Sequence, residues 1–190
     1  MNAVELIFDY FEDHIKAAQS VNQWRPVALG VLCFAISALS AFIADGLGDR
    51  LFPFSFDFVS LSIKILWEIS CGFVLAGTLH LILEFGGVQG SAAALFVLLG
   101  MADLVWTLSV PAALIIKLAA PKSYLAPGIA SFLIGLLALG LKARSLQDNY
   151  HISGSRAWVT ISLPYLAMFF GALLVFAAAI WEALDHFLKS

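Results

Sequence analysis

The stretch LHLILEFGGVQGSAAALFVLLGMADLVW, residues 79–106, holds two long apolar runs on either side of a Gly-Gly-x-x-Gly turn made by Gly86, Gly87 and Gly90. In hydrocarbon no water can satisfy a backbone N–H or C=O, so an apolar run inside a bilayer must form a helix, which bonds its own backbone. Two such runs joined by a tight turn read as a transmembrane helical hairpin. His80 and Glu84 stand just before the turn, and Asp103 lies deep in the run that follows it.

Composition fits that solvent. The chain has 190 residues, 62% hydrophobic and 12% charged, where a soluble domain is about half apolar and about a quarter charged. The net charge of −3 argues against nucleic acid as a partner, which requires a basic patch. Cys33 and Cys71 both fall inside apolar runs and behave as small hydrophobes, so no disulfide is expected. The first residues carry Glu5, Asp9, Glu12 and Asp13 and lack the basic start of a signal peptide.

In chain order, residues 3–20 predict one amphipathic helix, with Val4, Ile7, Phe8, Phe11, Ile15 and Ala18 recurring at steps of three and four. It can lie in the membrane interface or dock on the protein's own bundle, and it forms a unit over 1–23 ahead of a membrane domain over 24–190. Trp24, Arg25 and Pro26 open a first span over about 24–44, with Ser37, Ala38, Ser40 and Ala41 as a close-packing face. A loop over 45–61 follows, where Phe52, Phe54, Phe56 and Phe58 alternate and predict an aromatic segment at headgroup level or a partner-contact flap. Further spans are predicted over about 62–84, 91–117, 127–147 and 157–181. Lys64 is placed to snorkel, Pro111 to kink the third span, and Ser131-x-x-x-Gly135 and Ala167-x-x-x-Gly171 to offer small-residue faces. Lys142, Arg144, Gln147 and Asp148 read as prolonging the fourth helix beyond the membrane. The fold class is therefore all-α, a polytopic bundle of five transmembrane helices plus an N-terminal amphipathic helix.

Five spans put the termini on opposite sides. One side collects Lys16, Arg25, Lys142, Arg144 and Arg156, the other Arg50, Lys64, Lys117, Lys122 and Lys189. The positive-inside rule is balanced, and the dense cluster Lys142, Arg144 and Arg156 tips it toward a cytoplasmic N-terminus.

Ionisable groups inside spans are costly and are functional candidates by default. An antiparallel hairpin brings Glu68 and Asp103 to within about one turn in depth, ~6 Å. Two carboxylates that close share a proton or bind a cation; the alternative is an Asp103 bonded to hydroxyls, Trp106 or a carbonyl. His80 and Glu84, four apart, share a helix face and fix the hairpin. A metal there needs further ligands, for which Asp148, Asn149 and His151 are candidates. No Gly-x-Ser-x-Gly, P-loop or Cys-x-x-Cys occurs, so no catalytic residue, metal or cofactor is expected.

Three pieces of the chain resemble bacterial members of the Yip1 family of multi-pass proteins. One is HLILEFGGVQGS (80–91), similar to the family's His-plus-Gly-Gly-x-Gly-Ser hairpin turn. The second is GMADLVWTLSVPAAL (100–114), with its late Pro. The third, GIASFLIGLLALGLKARSLQDNYHISGSRAWVTISLP (128–164), resembles the family's helix ending in Gly-Leu-Lys, a short polar loop and a helix with an early Pro. The resemblance covers about residues 62–185 and implies a five-helix bundle in the bacterial cytoplasmic membrane. Eukaryotic relatives are linked to vesicle traffic, Rab-type small GTPases and pairing with related membrane proteins. This chain lacks their acidic Asp-Leu-Trp/Tyr-Gly-Pro-type lead-in, so Rab contact is not carried over. The implied role is a non-catalytic scaffold or interaction partner in the bilayer, alone as a homo-oligomer or with another membrane protein. The other reading is a small transporter or permeation element using Asp103, Glu68 and His80.

Overall fold

A computed structural model describes residues 2–47, 57–120, 123 and 125–189, with side chains to residue 182. The described residues are helical, with no strand among them. In order the helices are α1 (Ala3–Glu12), α2 (His14–Trp24), α3 (Val27–Leu47), α4 (Phe58–Phe85), α5 (Ala92–Asp103), α6 (Ser109–Ala119), α7 (Leu125–Tyr150) and α8 (Gly154–Lys189). A 3₁₀ turn, Leu104–Leu108, joins α5 to α6. Five stretches are long and apolar enough to cross a membrane: α3, α4, α5 through α6, α7, and α8 to Glu182. The bundle is thus a five-span membrane protein, with boundaries one to eight residues from those expected and α8 the most extended.

The third span is the axis. Every residue from Ala94 to Asp103 is buried, with α3, α4 and α7 packed around it. Close approach sets the α3–α5 crossing: a Cβ on Gly100 would stand 2.8 Å from the Gly30 carbonyl oxygen. The expected small face of the first span is used here, since Ser37 and Ala38 are buried. Pro111 acts upstream of itself. Its ring nitrogen has no hydrogen for the carbonyl of residue 107, so the α ladder gives way in the preceding turn. There the helix tightens to 3₁₀, and Thr107 Oγ1 and Ser109 Oγ donate to the carbonyls of Leu104 (2.7 Å) and Trp106 (2.6 Å). By contrast α8 touches α7 and α4 only near its start, through Ala157, Thr160 and Ile161, and is open from Tyr165 to Trp181.

The N-terminal arm departs from the expectation of one helix. Asp13 ends α1 and its side chain accepts from Lys16 N, capping α2, so the arm is two helices. The buried face is also rotated. Leu6, Tyr10, His14, Ala17, Ala18 and Val21 pack inward, sharing a core with Leu29, Cys33, Val97, Leu98 and Met101. Val4, Phe8, Phe11 and Ile15 point outward. Both faces of this arm are apolar, so periodicity alone chose the outer one. Its contacts with α5 and α7 make 1–23 part of the bundle's packing.

Two further differences lie at the opposite end. Phe58, expected in an alternating extended segment, opens α4, which Asp57 caps through Ser60 N at 2.7 Å; Phe52, Phe54 and Phe56 lie outside the described residues, as do Lys122 and Tyr124. Lys64 does not simply reach for the interface but pairs with Asp45 at 2.7 Å, tying α4 to the end of α3.

Candidate functional site

The expected polar residues separate into two centres. The first surrounds the hairpin turn. Gly87 adopts φ +75° and ends α4 in a Schellman motif: Val88 N donates to Leu83 O (3.0 Å) and Gly87 N to Glu84 O (2.9 Å). The last turn of α7 and the first turn of α8 then grip the hairpin turn. Asn149 Nδ2 donates to Ser91 O (3.1 Å) and Arg156 Nη2 to Gly86 O (3.2 Å). The Tyr150 ring lies where a Cβ on Gly90 would be, so only glycine fits at that position. His80 Nδ1 is 2.7 Å from the Tyr150 hydroxyl and its Nε2 is 3.6 Å from Glu84 Oε2. The His80–Glu84 pair thus sits at the hairpin, and Tyr150, which the sequence reading left out, completes it. The spacing gave no signal for Tyr150, seventy residues away.

α2 closes the same end. His14, 3% exposed, is 2.7 Å through Nδ1 from Asp148 Oδ2, and its buried Nε2 has no partner among the described residues. Burial holds the imidazole below its ordinary pKa, against the attraction of Asp148. A protonated ring would place a second N–H where nothing accepts it. The neutral tautomer therefore carries its proton on Nδ1, donated to Asp148. Tyr10 packs beside His14 with ring centroids 4.3 Å apart, and its hydroxyl is 2.8 Å from Ser145 Oγ. Burial raises the Tyr10 phenol well above its usual range.

The second centre lies at mid-span. Asp103, 5% exposed, does not meet Glu68 as the antiparallel register predicts. Its Oδ1 is 2.7 Å from Lys142 Nζ, with the Asp103 side chain buried and that of Lys142 largely so. Lys142 was expected outside the membrane; instead its long stem carries the ammonium inward from α7. Glu68 lies within electrostatic reach of both charges but makes no ion pair or hydrogen bond among the described residues. Lys142 also borders a crevice of about 440 Å3 between α7 and α8, walled by Trp106, Leu139, Tyr165 and Leu166. That lining is mostly apolar. His80 is not part of this centre.

Asp148, Asn149 and His151 do reach the hairpin side, but no group of three His, Cys, Asp or Glu side chains could hold a metal among the described residues. Cys33 is buried and Cys71 exposed, each a free thiol. No protein-family model matches the chain, and neither a curated protein nor a solved structure matches it.

Proposed function

We propose that this chain is a non-catalytic, Yip1-like protein of the bacterial cytoplasmic membrane, a scaffold that associates through its fifth span with a second copy or another membrane protein. The observation that carries this reading is the open face of α8. Ala167 and Gly171 are exposed, and a Cβ on Gly171 would meet nothing within 4 Å. Helices associate in lipid through small residues that let backbones approach, and the small faces of α3 are already consumed inside the bundle. With Lys142 drawn inward, Lys16, Arg25, Arg144 and Arg156 remain against the five basic residues of the other side, so the positive-inside rule does not select an orientation. The mid-span charges support a structural role, because Asp103 is paired and buried.

Transport is the second reading, favoured by one observation: among the described residues Glu68 has no hydrogen-bond or ion-pair partner beside a buried ion pair. Both are tested in liposomes. Energy transfer between two labelled populations of the protein reports self-association, and proton and potassium fluxes report permeation. The scaffold reading expects efficient transfer, lost by more than half in Gly171→Leu, and no flux above protein-free vesicles. Flux abolished by Glu68→Gln, with transfer unchanged by Gly171→Leu, overturns it in favour of transport.

A further inference from the structure

At the hairpin end, α2, the 86–91 turn and the end of α7 border an open cleft of about 440 Å3, a volume within the range of ligand sites. Its lining is polar where the other crevice is apolar. Gln19 and Gln89 offer amides, Arg25 a guanidinium, and Asp148 a carboxylate, with Asn149 and His151 completing the wall. Asn149 is 3% exposed, and its Oδ1 has no hydrogen-bond partner among the described residues. A buried acceptor left empty costs about 1–3 kcal/mol, so a donor brought to Asn149 at the wall of the cleft would be favourable. His14 holds Asp148 Oδ2, and Oδ1 makes no further hydrogen bond among the described residues.

The backbone points to the same place. Arg25 (φ 45°) and His151 (φ 52°) are the non-glycine residues with positive φ among the described residues, and both line this cleft. Each ends a helix at a position where glycine is favoured. Arg25 also precedes Pro26, which disfavours helical conformations of the residue before it. Helix capping explains the geometry but not the choice of a cationic and an imidazole side chain there.

We propose that this cleft binds the head group of a phospholipid bearing a primary ammonium, with the phosphate on Arg25 and the glutamine amides and the ammonium on Asp148 and Asn149 Oδ1. Trp24, next to Arg25 in the chain, is exposed just before the first span, a position typical of the membrane interface. A primary ammonium supplies the N–H donors that Asn149 requires. A quaternary ammonium has none, and a glycerol head group brings net negative charge toward Asp148. The site is separate from the α8 face, so it stands or falls independently of the association reading.

The test is binding of dihexanoyl phosphatidylethanolamine, phosphatidylcholine, phosphatidylglycerol and inorganic phosphate to the full-length protein in detergent, by calorimetry. The ethanolamine lipid is expected to bind at least tenfold more tightly than the other lipids. Arg25→Gln, an exposed position, is expected to weaken it about tenfold with an unchanged melting temperature. Gln89→Ala, also on the exposed rim, is expected to weaken it a few-fold. Equal binding of the three lipids, or affinity insensitive to Arg25→Gln, overturns the proposal. Phosphate binding as tight as the lipid's overturns the lipid assignment.

Discussion

The third and fifth spans are apolar to nearly the same degree, yet most of the third is buried in protein and none of the fifth's most apolar stretch is. In water such a difference would be paradoxical, since two equally apolar helices would both seek a core. In lipid it is natural, because hydrocarbon solvates leucine as well as protein does. Burial in this bundle is decided by features hydropathy does not count. α5 has Gly100, which admits the backbone of α3 at Gly30, and Asp103, which needs Lys142. α8 from Tyr165 onward has no charge before Glu182, and its Ala167 and Gly171 are exposed, with nothing among the described residues packed on Gly171.

The strongest way to break this comparison is to remove the partner of Asp103. Lys142→Met leaves a carboxylate buried against α5 with no counter-ion. It is expected to cost about 3–5 kcal/mol, as for other buried pairs broken on one side. The double variant Lys142→Met/Asp103→Leu should recover most of that loss. Unfolding in mixed detergent, followed by far-UV circular dichroism, measures both. If the single variant is as stable as the wild type, the pair does not anchor the third span.

Much of this architecture was legible in the chain. The five spans, the glycine hairpin and the disturbance caused by Pro111 follow from backbone chemistry in lipid, which acts locally. Asp103 stood out because a carboxylate inside a span always does. Its partner did not, because pairing depends on how far the Lys142 stem reaches and how deep α7 sits. Tyr150 was hidden for a similar reason: its grip on Gly90 and His80 joins residues sixty to seventy positions apart. The N-terminal arm failed differently. Its outer face, Val4, Phe8, Phe11 and Ile15, is as apolar as the inner face built on Leu6, Ala17 and Val21, so periodicity could not choose between them.

A matched pair of substitutions sharpens the comparison at smaller scale. Gly100→Ala puts a methyl group 2.8 Å from the Gly30 carbonyl oxygen, a backbone atom that cannot swing away. It is expected to cost about 1–3 kcal/mol, as overpacking does elsewhere. Gly171→Ala meets open space and is expected to lie within about 0.5 kcal/mol of the wild type. Equal effects from the two, in the same unfolding assay, would mean that the burial of α5 is not what sets its tolerance.

The smallest expected effect concerns how the third span stays covered on one side. α1 and α2 lie over Val97, Leu98 and Met101 of α5, and His14 is the arm's buried group that can take up a proton on acidification, held neutral by burial beside Asp148. The groups facing it are Asp148 and Arg144 on α7. Because its folded pKa lies below the ordinary value of about 6.5, the docked arm binds fewer protons than the released arm. Docking is therefore fully favoured above that value and weakens as pH falls through the folded pKa. Hydrogen exchange of residues 3–24 should accelerate on acidification while exchange in α5's core residues changes less. His14→Gln keeps a polar side chain beside Asp148 but cannot take up a proton, so its arm should exchange at a rate independent of pH once the chemical rate is corrected. An arm that loosens equally in both proteins would place the acid response on a carboxylate of α1 or α7 instead, and the cover over α5 would not depend on the His14–Asp148 pair.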